Sequence, residues 1–115
     1  MDWVSNKLTY TATITAQADA SHDCNFANIT CAASVSAAAQ AVLKALALMP
    51  DDTTFDYKGD QVWFNNGAAE RAFFSGGDWH DGAHAGLFAL TGNSSRSGSY
   101  SVVGFRSAFV KLPTA

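Results

Sequence analysis

One stretch of the chain, residues 34–49, has the apolar periodicity of an α-helix, and no other stretch does. Its apolar side chains recur at steps of three and four positions, at Val35, Ala39, Val42, Leu43, Leu46 and Met49. This spacing places them on one face of a helix. Ser34 can accept hydrogen bonds from the free N–H groups of the first turn, and Pro50 ends the pattern. The sequence therefore predicts one packing helix with no function of its own.

The other apolar segments are short and typical of strands. Residues 8–16 alternate strictly, which predicts a half-buried strand with its threonines facing solvent. Residues 17–31 are small and polar and predict a loop, and Asn65-Asn66-Gly67 predicts a turn. Further strands are expected at 62–64, 71–74, 86–90 and 100–110. The pattern predicts an α+β domain with one main helix, a small antiparallel sheet and long loops.

Composition excludes several classes of protein. The 115 residues fit a single domain, 1–115, and 48% hydrophobic against 15% charged residues excludes intrinsic disorder. Seven lysines and arginines, no basic cluster and a net charge of −3 argue against nucleic acid or an anionic membrane as partner. The longest apolar run, 37–49, is interrupted by Gln40 and Lys44, so we expect no transmembrane helix. The first residues carry no recognisable secretory signal.

Two cysteines, Cys24 and Cys31, lie seven positions apart and could form a disulfide or stay reduced. Without companion histidines or further cysteines they are a poor metal site.

The densest polar cluster surrounds His80, Asp81 and His84, whose spacing is similar to a zinc-binding H-E-x-x-H helix. The surrounding glycines oppose a helix, and an aspartate is one carbon too short for the general base. A metal-dependent hydrolase using these residues stays an alternative function. A triad of Ser75 or Ser94 with His80 and Asp78 lacks the nucleophile elbow of a hydrolase.

Residues 91–101 combine Ser, Gly and Asn with Arg96 and Tyr100. This is the composition of adaptable recognition loops, although a solvated linker has it too.

The segment from Gly76 to Leu90, with the frame G-G-x-W-x-x-G-x-x-A-G-L-F, is followed thirteen residues later by Gly104-Phe105-Arg106. It resembles the C-terminal half of a variable protein from a diversity-generating retroelement, and the similarity extends over residues 7–112. The resemblance implies a C-type lectin-like fold of the formylglycine-generating-enzyme type. It also implies a variable region at about 76–106.

In that family, retrohoming rewrites template adenines, mostly in AAY codons, and the altered side chains contact the ligand. The corresponding ligand-binding positions are Asp78, His80, Asp81, His84, Ala89, Thr91, Asn93, Ser94, Gly98, Tyr100 and Val102. All of these residue types can be reached from AAY by changing adenines. Residues 76–106 also contain no Lys, Glu, Gln or Met, which that route cannot produce.

The resemblance assigns a scaffold role to Gly76, Gly77, Trp79, Gly82, Gly86, Phe88, Gly104, Phe105 and Arg106. The glycines are expected to adopt conformations that a Cβ would penalise. Trp79, Leu87, Phe88 and Phe105 are expected to anchor the core, and Arg106 to bind loop carbonyls.

The implied function is that of a phage or prophage tail-fibre-type receptor-binding domain. It would bind a bacterial surface protein or glycan, and the full-length protein would be a homo-oligomer, a trimer. The expected location is the virion or the bacterial cytoplasm. Enzymatic relatives with the implied fold use cysteines in the C-terminal core, and no cysteine follows Cys31. The Asp/Asn set of calcium-dependent sugar-binding lectins is not evident either. The resemblance therefore implies no enzymatic activity, no cofactor and no metal. A purely structural virion domain is the other alternative.

Overall fold

The computed structural model describes residues 1–13, 20–52, 54–67 and 70–104. The described strands are β1 (Asp2–Val4), β2 (Lys7–Tyr10), β3 (Ser21–Asn25), β4 (Ile29–Cys31), β5 (Gln61–Asn65), β6 (Ala72–Ser75) and β7 (Leu90–Ser94). The α-helix of the described residues, α1, covers Ala37–Ala45, and 3-10 turns cover Phe26–Asn28 and Gly82–His84. No helix in these ranges is long and apolar enough to cross a membrane.

The strands form two small mixed sheets. The first has the order β1-β2-β4, with β1 antiparallel and β4 parallel to β2. The second has the order β3-β5-β7-β6, in which only β5 and β7 run parallel. The α+β class is confirmed, but the expectation of an antiparallel sheet is wrong because each sheet contains one parallel pair.

The core lies where both sheets contribute their most apolar residues. Leu8 of β2, Val62 of β5, Leu90 of β7 and Phe26 are fully buried. Cys24, Ile29, Met49, Tyr57 and Phe64 complete the cluster. The Trp3 ring also stacks on the His22 ring at 4.6 Å, which joins β1 of the first sheet to β3 of the second.

The strand predicted at 8–16 is β2, and it is shorter than the alternation predicts. It covers Lys7–Tyr10, and residues 14–16 lie outside the described residues. The expectation that its threonines face solvent is wrong at Thr9, which is buried. β2 is the central strand of its sheet, and the Thr9 hydroxyl shares a hydrogen bond of 3.1 Å with the Thr30 hydroxyl on β4.

The prediction of a loop at 17–31 is also wrong, because residues 21–31 contain β3, a 3-10 turn and β4. Only Cys24 of β3 is buried, so the strand is a polar edge strand without an apolar pattern. Asn25 caps the following turn by accepting a hydrogen bond from the Ala27 N–H at 2.9 Å.

The predicted helix exists but is shorter than 34–49. Ser36, not Ser34, is its N-cap and accepts a hydrogen bond from the Ala39 N–H at 3.2 Å. No residue of α1 is buried, and Leu43 packs only partly against the core. The packing role is therefore weaker than the apolar stripe predicts.

The strands predicted at 62–64 and 71–74 are confirmed as β5 and β6, one residue displaced at most at each end. The strand expected at 86–90 begins at Leu90 instead and continues through Ser94, into the segment predicted as a Ser/Gly loop. Residues 101–104 form no strand, and 105–110 lie outside the described residues.

Two leucines three positions apart test this core. Leu90 is 2% exposed and Leu87 is 81% exposed. We expect Leu90→Ala to lower the free energy of unfolding by about 2–5 kcal/mol, because it leaves a cavity among packed side chains. Leu87→Ala should change it by less than about 0.5 kcal/mol. Urea unfolding followed by circular dichroism measures both, and equal losses would contradict the described burial.

Candidate functional site

The loop between β6 and β7, residues 76–89, contains five of the eleven predicted ligand positions. Its two ends are joined by a hydrogen bond of 2.9 Å from the Gly76 N–H to the Ala89 carbonyl. Because β6 and β7 are antiparallel neighbours, the loop leaves and re-enters the same edge of the sheet. The sheet thus fixes both ends of the first part, 76–89, of the segment 76–106 that the resemblance assigns to ligand binding.

The second half of the 76–89 loop is fixed to the core by Asp60, whose side chain is buried. Its Oδ2 accepts a hydrogen bond from the Phe88 N–H at 2.8 Å. Its own backbone accepts from the Phe26 N–H at 2.8 Å and donates to the Tyr57 carbonyl at 3.1 Å. A Cβ on Gly86 would lie 2.2–2.5 Å from the Asp60 carboxyl atoms. Gly86 is therefore required by space, not by its backbone angles.

The first half of the loop is braced by its own carboxylates. Asp81 Oδ2 accepts from the Asp78 N–H at 2.7 Å, and Asp78 Oδ1 accepts from the His80 N–H at 2.7 Å. Gly77 has a φ of +69°, and a Cβ there would lie 2.9 Å from both Asp81 Oδ2 and the Ala85 side chain. Asp78 and Asp81, both predicted to contact ligand, thus also maintain the shape of the loop.

The predicted scaffold glycines differ in what fixes them. Gly76 and Gly82, with φ of +104° and +56°, adopt the left-handed conformations expected of them. Gly104 has no positive φ, and a Cβ there would meet no atom of the described residues within 4 Å, so these residues impose no requirement for glycine at this position.

The outer surface of the loop is aromatic and apolar. Trp79 is 79% exposed and Leu87 is 81% exposed, so the expectation that they anchor the core is wrong. Residue type alone does not decide burial. In this tight loop the space on the inner side is taken by Ala85 beside Gly77 and by the Asp60 carboxylate beside Gly86. Phe88, by contrast, packs against the core as expected. The Trp79 and His80 rings lie 3.4 Å apart between centroids, and His84 is exposed as well. We call Trp79, His80, His84 and Leu87 the loop surface.

The remaining predicted ligand positions are Ala89, at the end of the loop, and those on β7 and beyond it. Ala89 is completely buried, so its side chain cannot contact a ligand at the surface. Thr91, Asn93 and Ser94 are half-buried in β7. Arg71 binds the Asn93 carbonyl at 3.0 Å and Asn65 Oδ1 at 2.8 Å, which ties β7 to the end of β5.

After β7 the chain is exposed at Gly98, Tyr100 and Val102. The Tyr100 ring lies 6.2 Å from the Phe74 ring of β6, and a Cβ on Gly98 would lie 2.7 Å from the Tyr100 ring. Arg96 forms an exposed ion pair with Glu70. Phe105 and Arg106 lie outside the described residues.

The structure does not assemble a metal site from His80, Asp81 and His84. Gly82, with its positive φ, lies between the two histidines, and Gly82–His84 form only a 3-10 turn. Within the described ranges, no group of three or more His, Cys, Asp and Glu side chains is arranged to hold a metal ion. The absence of an H-E-x-x-H helix, inferred from the glycines, is confirmed.

The serines of the possible triad are no better placed. Asp78 Oδ1 does lie 3.3 Å from His80 Nδ1. Ser94, however, pairs with Ala72, whereas the loop leaves the sheet beside the Ser75–Leu90 pair. Ser94 is four residues along β7 from Leu90, about 13 Å. Ser75 makes no hydrogen bond to His80 in the described part of the chain.

The two cysteines are both free, Cys24 on β3 and Cys31 on β4. Burial raises the pKa of both thiols. Cys31 Sγ lies 3.5 Å from Met49 Sδ. Thiols whose pKa is raised by burial are poor nucleophiles.

No known protein family, curated protein or solved structure matches this chain.

The contact between Gly86 and Asp60 can be tested directly. We expect Gly86→Ala to destabilise the fold by about 1–3 kcal/mol, because the new methyl group overlaps the Asp60 carboxylate. Gly104→Ala is the matched control and should change stability by less than about 0.5 kcal/mol. Chemical unfolding measures both variants.

The double variant Asp60→Ala with Gly86→Ala gives a second measurement. Asp60→Ala alone leaves the Phe88 N–H without its acceptor and should cost about 1–3 kcal/mol. Because both changes act on one contact, the double variant should lose less than the sum of the two. Strict additivity would show that Gly86 and Asp60 act independently.

Proposed function

We propose that this domain is a ligand-binding module of a phage or prophage tail-fibre-type protein, diversified by a retroelement. Its partner is a protein or glycan on a bacterial surface. The observation that carries the proposal is the construction of the 76–89 loop. Backbone hydrogen bonds, Asp60 and small residues hold its path, while Trp79, His80, His84 and Leu87 extend into solvent. Such side chains can be exchanged without disturbing the core, as recognition loops on a rigid framework require.

Burial sorts the predicted ligand positions into three groups. His80, His84, Gly98, Tyr100 and Val102 are exposed and form the proposed contact set. Asp78, Asp81, Thr91, Asn93 and Ser94 are half-buried, and each contributes only part of its side chain. Ala89 is removed from the set because it is fully buried.

Trp79 and Leu87 join the contact set as constant members. Trp79 cannot be produced from an AAY codon, so under this proposal it stays constant. It offers an unchanging aromatic surface beside the exchangeable His80. Tryptophan combines a large contact area with few rotatable bonds, which lowers the entropy cost of binding. The constant aromatic residue would then supply affinity, and its variable neighbours would supply specificity. Display in several copies on one fibre would raise weak single-site affinity further.

The retroelement part of the proposal predicts a feature of the native genome. A second copy of the segment that encodes residues 76–106 should lie near a reverse-transcriptase gene. The two copies of the segment should differ only at adenines. Sequencing of the locus decides this. If neither the copy nor the gene is present, the diversification is unsupported, while the binding function can still be measured separately.

The binding part predicts that stability and recognition respond to different positions. His80→Ser and His84→Ser should change the free energy of unfolding by less than about 0.5 kcal/mol, because both side chains are exposed. They should alter which strains of a bacterial panel the labelled domain binds, scored by flow cytometry. Ala89→Tyr is the control at a buried position and should destabilise the fold by about 1–3 kcal/mol or more through overpacking.

Metal analysis of the purified protein distinguishes this function from a metal-dependent hydrolase. One zinc ion per chain that disappears in His80→Ser and His84→Ser would contradict the assignment of these histidines to a ligand surface.

A further inference from the structure

A hollow lined by aromatic rings lies beside the end of α1. It has a volume of about 250 Å³, which is below the range of about 300–1,000 Å³ that drug-sized ligands occupy. Its base is formed by the core residues Phe26, Met49 and Tyr57, and Phe88 packs against them. Phe55 also lines the hollow and stays 56% exposed. The hollow is therefore open to solvent and large enough for a small chemical group.

The rings around the hollow stand at steep angles to one another. The Tyr57 ring meets the Phe26 ring at 5.1 Å and 60°, and the Phe88 ring at 4.9 Å and 86°. The Phe55 ring meets the Tyr57 ring at 5.0 Å and 67°. Rings at such angles turn their faces in different directions around one space. The face of an aromatic ring carries partial negative charge and attracts cations.

The walls of the hollow offer few hydrogen-bond partners to a bound group. The Tyr57 hydroxyl already donates to the Asp52 carbonyl at 2.9 Å, and the Lys44 ammonium lies 3.5 Å from an Asp51 oxygen. The other lining side chains are apolar. A primary ammonium or a guanidinium would lose hydrogen bonds to water that these walls do not replace. A quaternary ammonium has no N–H group and loses none.

The charges at the rim of the hollow complement a cation. The lining side chains carry one positive charge, on Lys44, and two negative charges, on Asp51 and Asp52. Lys44 is paired with Asp51, so Asp52 supplies the excess negative charge. Thr54 donates to Asp52 Oδ1 from its hydroxyl and its N–H at 2.7 and 2.8 Å. These hydrogen bonds lower the pKa of the Asp52 carboxyl, which keeps it ionised.

We propose that this hollow is a binding site for a quaternary ammonium group of the choline type. The faces of Phe55, Tyr57 and Phe88 and the charge of Asp52 attract the cation, and its methyl groups contact the apolar walls. The site is separate from the loop surface, and the inference does not depend on the proposed function.

Titration of the 115-residue chain with choline chloride tests the proposal, with the NMR shifts of the aromatic ring protons as the signal. The matched neutral probe is the carbon isostere of choline, in which carbon replaces the charged nitrogen. It has the same shape without the charge and measures the apolar contribution alone. At equal ionic strength we expect choline to bind about tenfold tighter than the isostere, the effect of a cation on aromatic faces.

Two variants at the rim should change the Kd for choline in opposite directions. Asp52→Asn keeps an oxygen that can accept from Thr54 and should raise the Kd about threefold. Lys44→Gln removes the positive charge and should lower it by a similar factor. The Kd of the isostere should respond to neither variant. The control Asp23→Asn removes an exposed charge on β3 and should leave the Kd for choline unchanged.

Phe55→Leu tests the aromatic wall, because leucine keeps the apolar surface and removes the ring. It should raise the Kd for choline about fivefold. The matched control is Trp79→Leu, because Trp79 is also an exposed ring but lies on the loop surface. This control should leave the Kd unchanged. Circular dichroism shows whether each variant is folded.

Vesicles of phosphatidylcholine identify the source of the group once choline binding is measured. Vesicle binding that free choline displaces indicates a lipid head group, and choline binding without vesicle binding indicates a ligand outside the membrane. Both results agree with a quaternary ammonium site.

The absence of a saturable shift with choline would overturn the proposal, and so would equal affinity for choline and its isostere. Choline binding that is lost in Trp79→Leu and kept in Phe55→Leu would place the cation on the loop surface and overturn the assignment as well. If Phe55→Leu does not fold, an Asp52→Asn protein with an unchanged Kd has the same consequence.

Discussion

The buried carboxylate of Asp60 connects the hydrophobic core to the loop on which the proposed function depends. Its backbone is bound to Tyr57 and Phe26, and its side chain accepts the Phe88 N–H. A buried carboxylate is stable only when donors satisfy it, and the neighbouring Gly86 leaves the space for it to approach the loop backbone. The position of the 76–89 loop is thus set by a contact from inside the domain, so the loop surface need not contribute to it.

This arrangement separates the residues that determine shape from those that face outward. Inside the loop the side chains are small or bonded to neighbouring N–H groups, as Gly77 and Asp81 illustrate. Outside it, Trp79 and Leu87 make no comparable contribution to the core. Their exposed side chains are available for contact with another surface, as the proposed function requires. Under the proposed function, the same separation would let one backbone carry different binding surfaces.

Sequence reasoning located the elements with a strong period and missed those without one. The α1 region, β5 and β6 follow from apolar spacing, whereas β3 is a polar edge strand that reads as a loop. The glycine frame predicted the position of the loop. The apolar character of Trp79 and Leu87 wrongly predicted that they are buried, because a single sequence does not show which side of a tight loop faces inward. Asp60 was missed as a functional residue because its partner lies 28 positions away and no local pattern joins them.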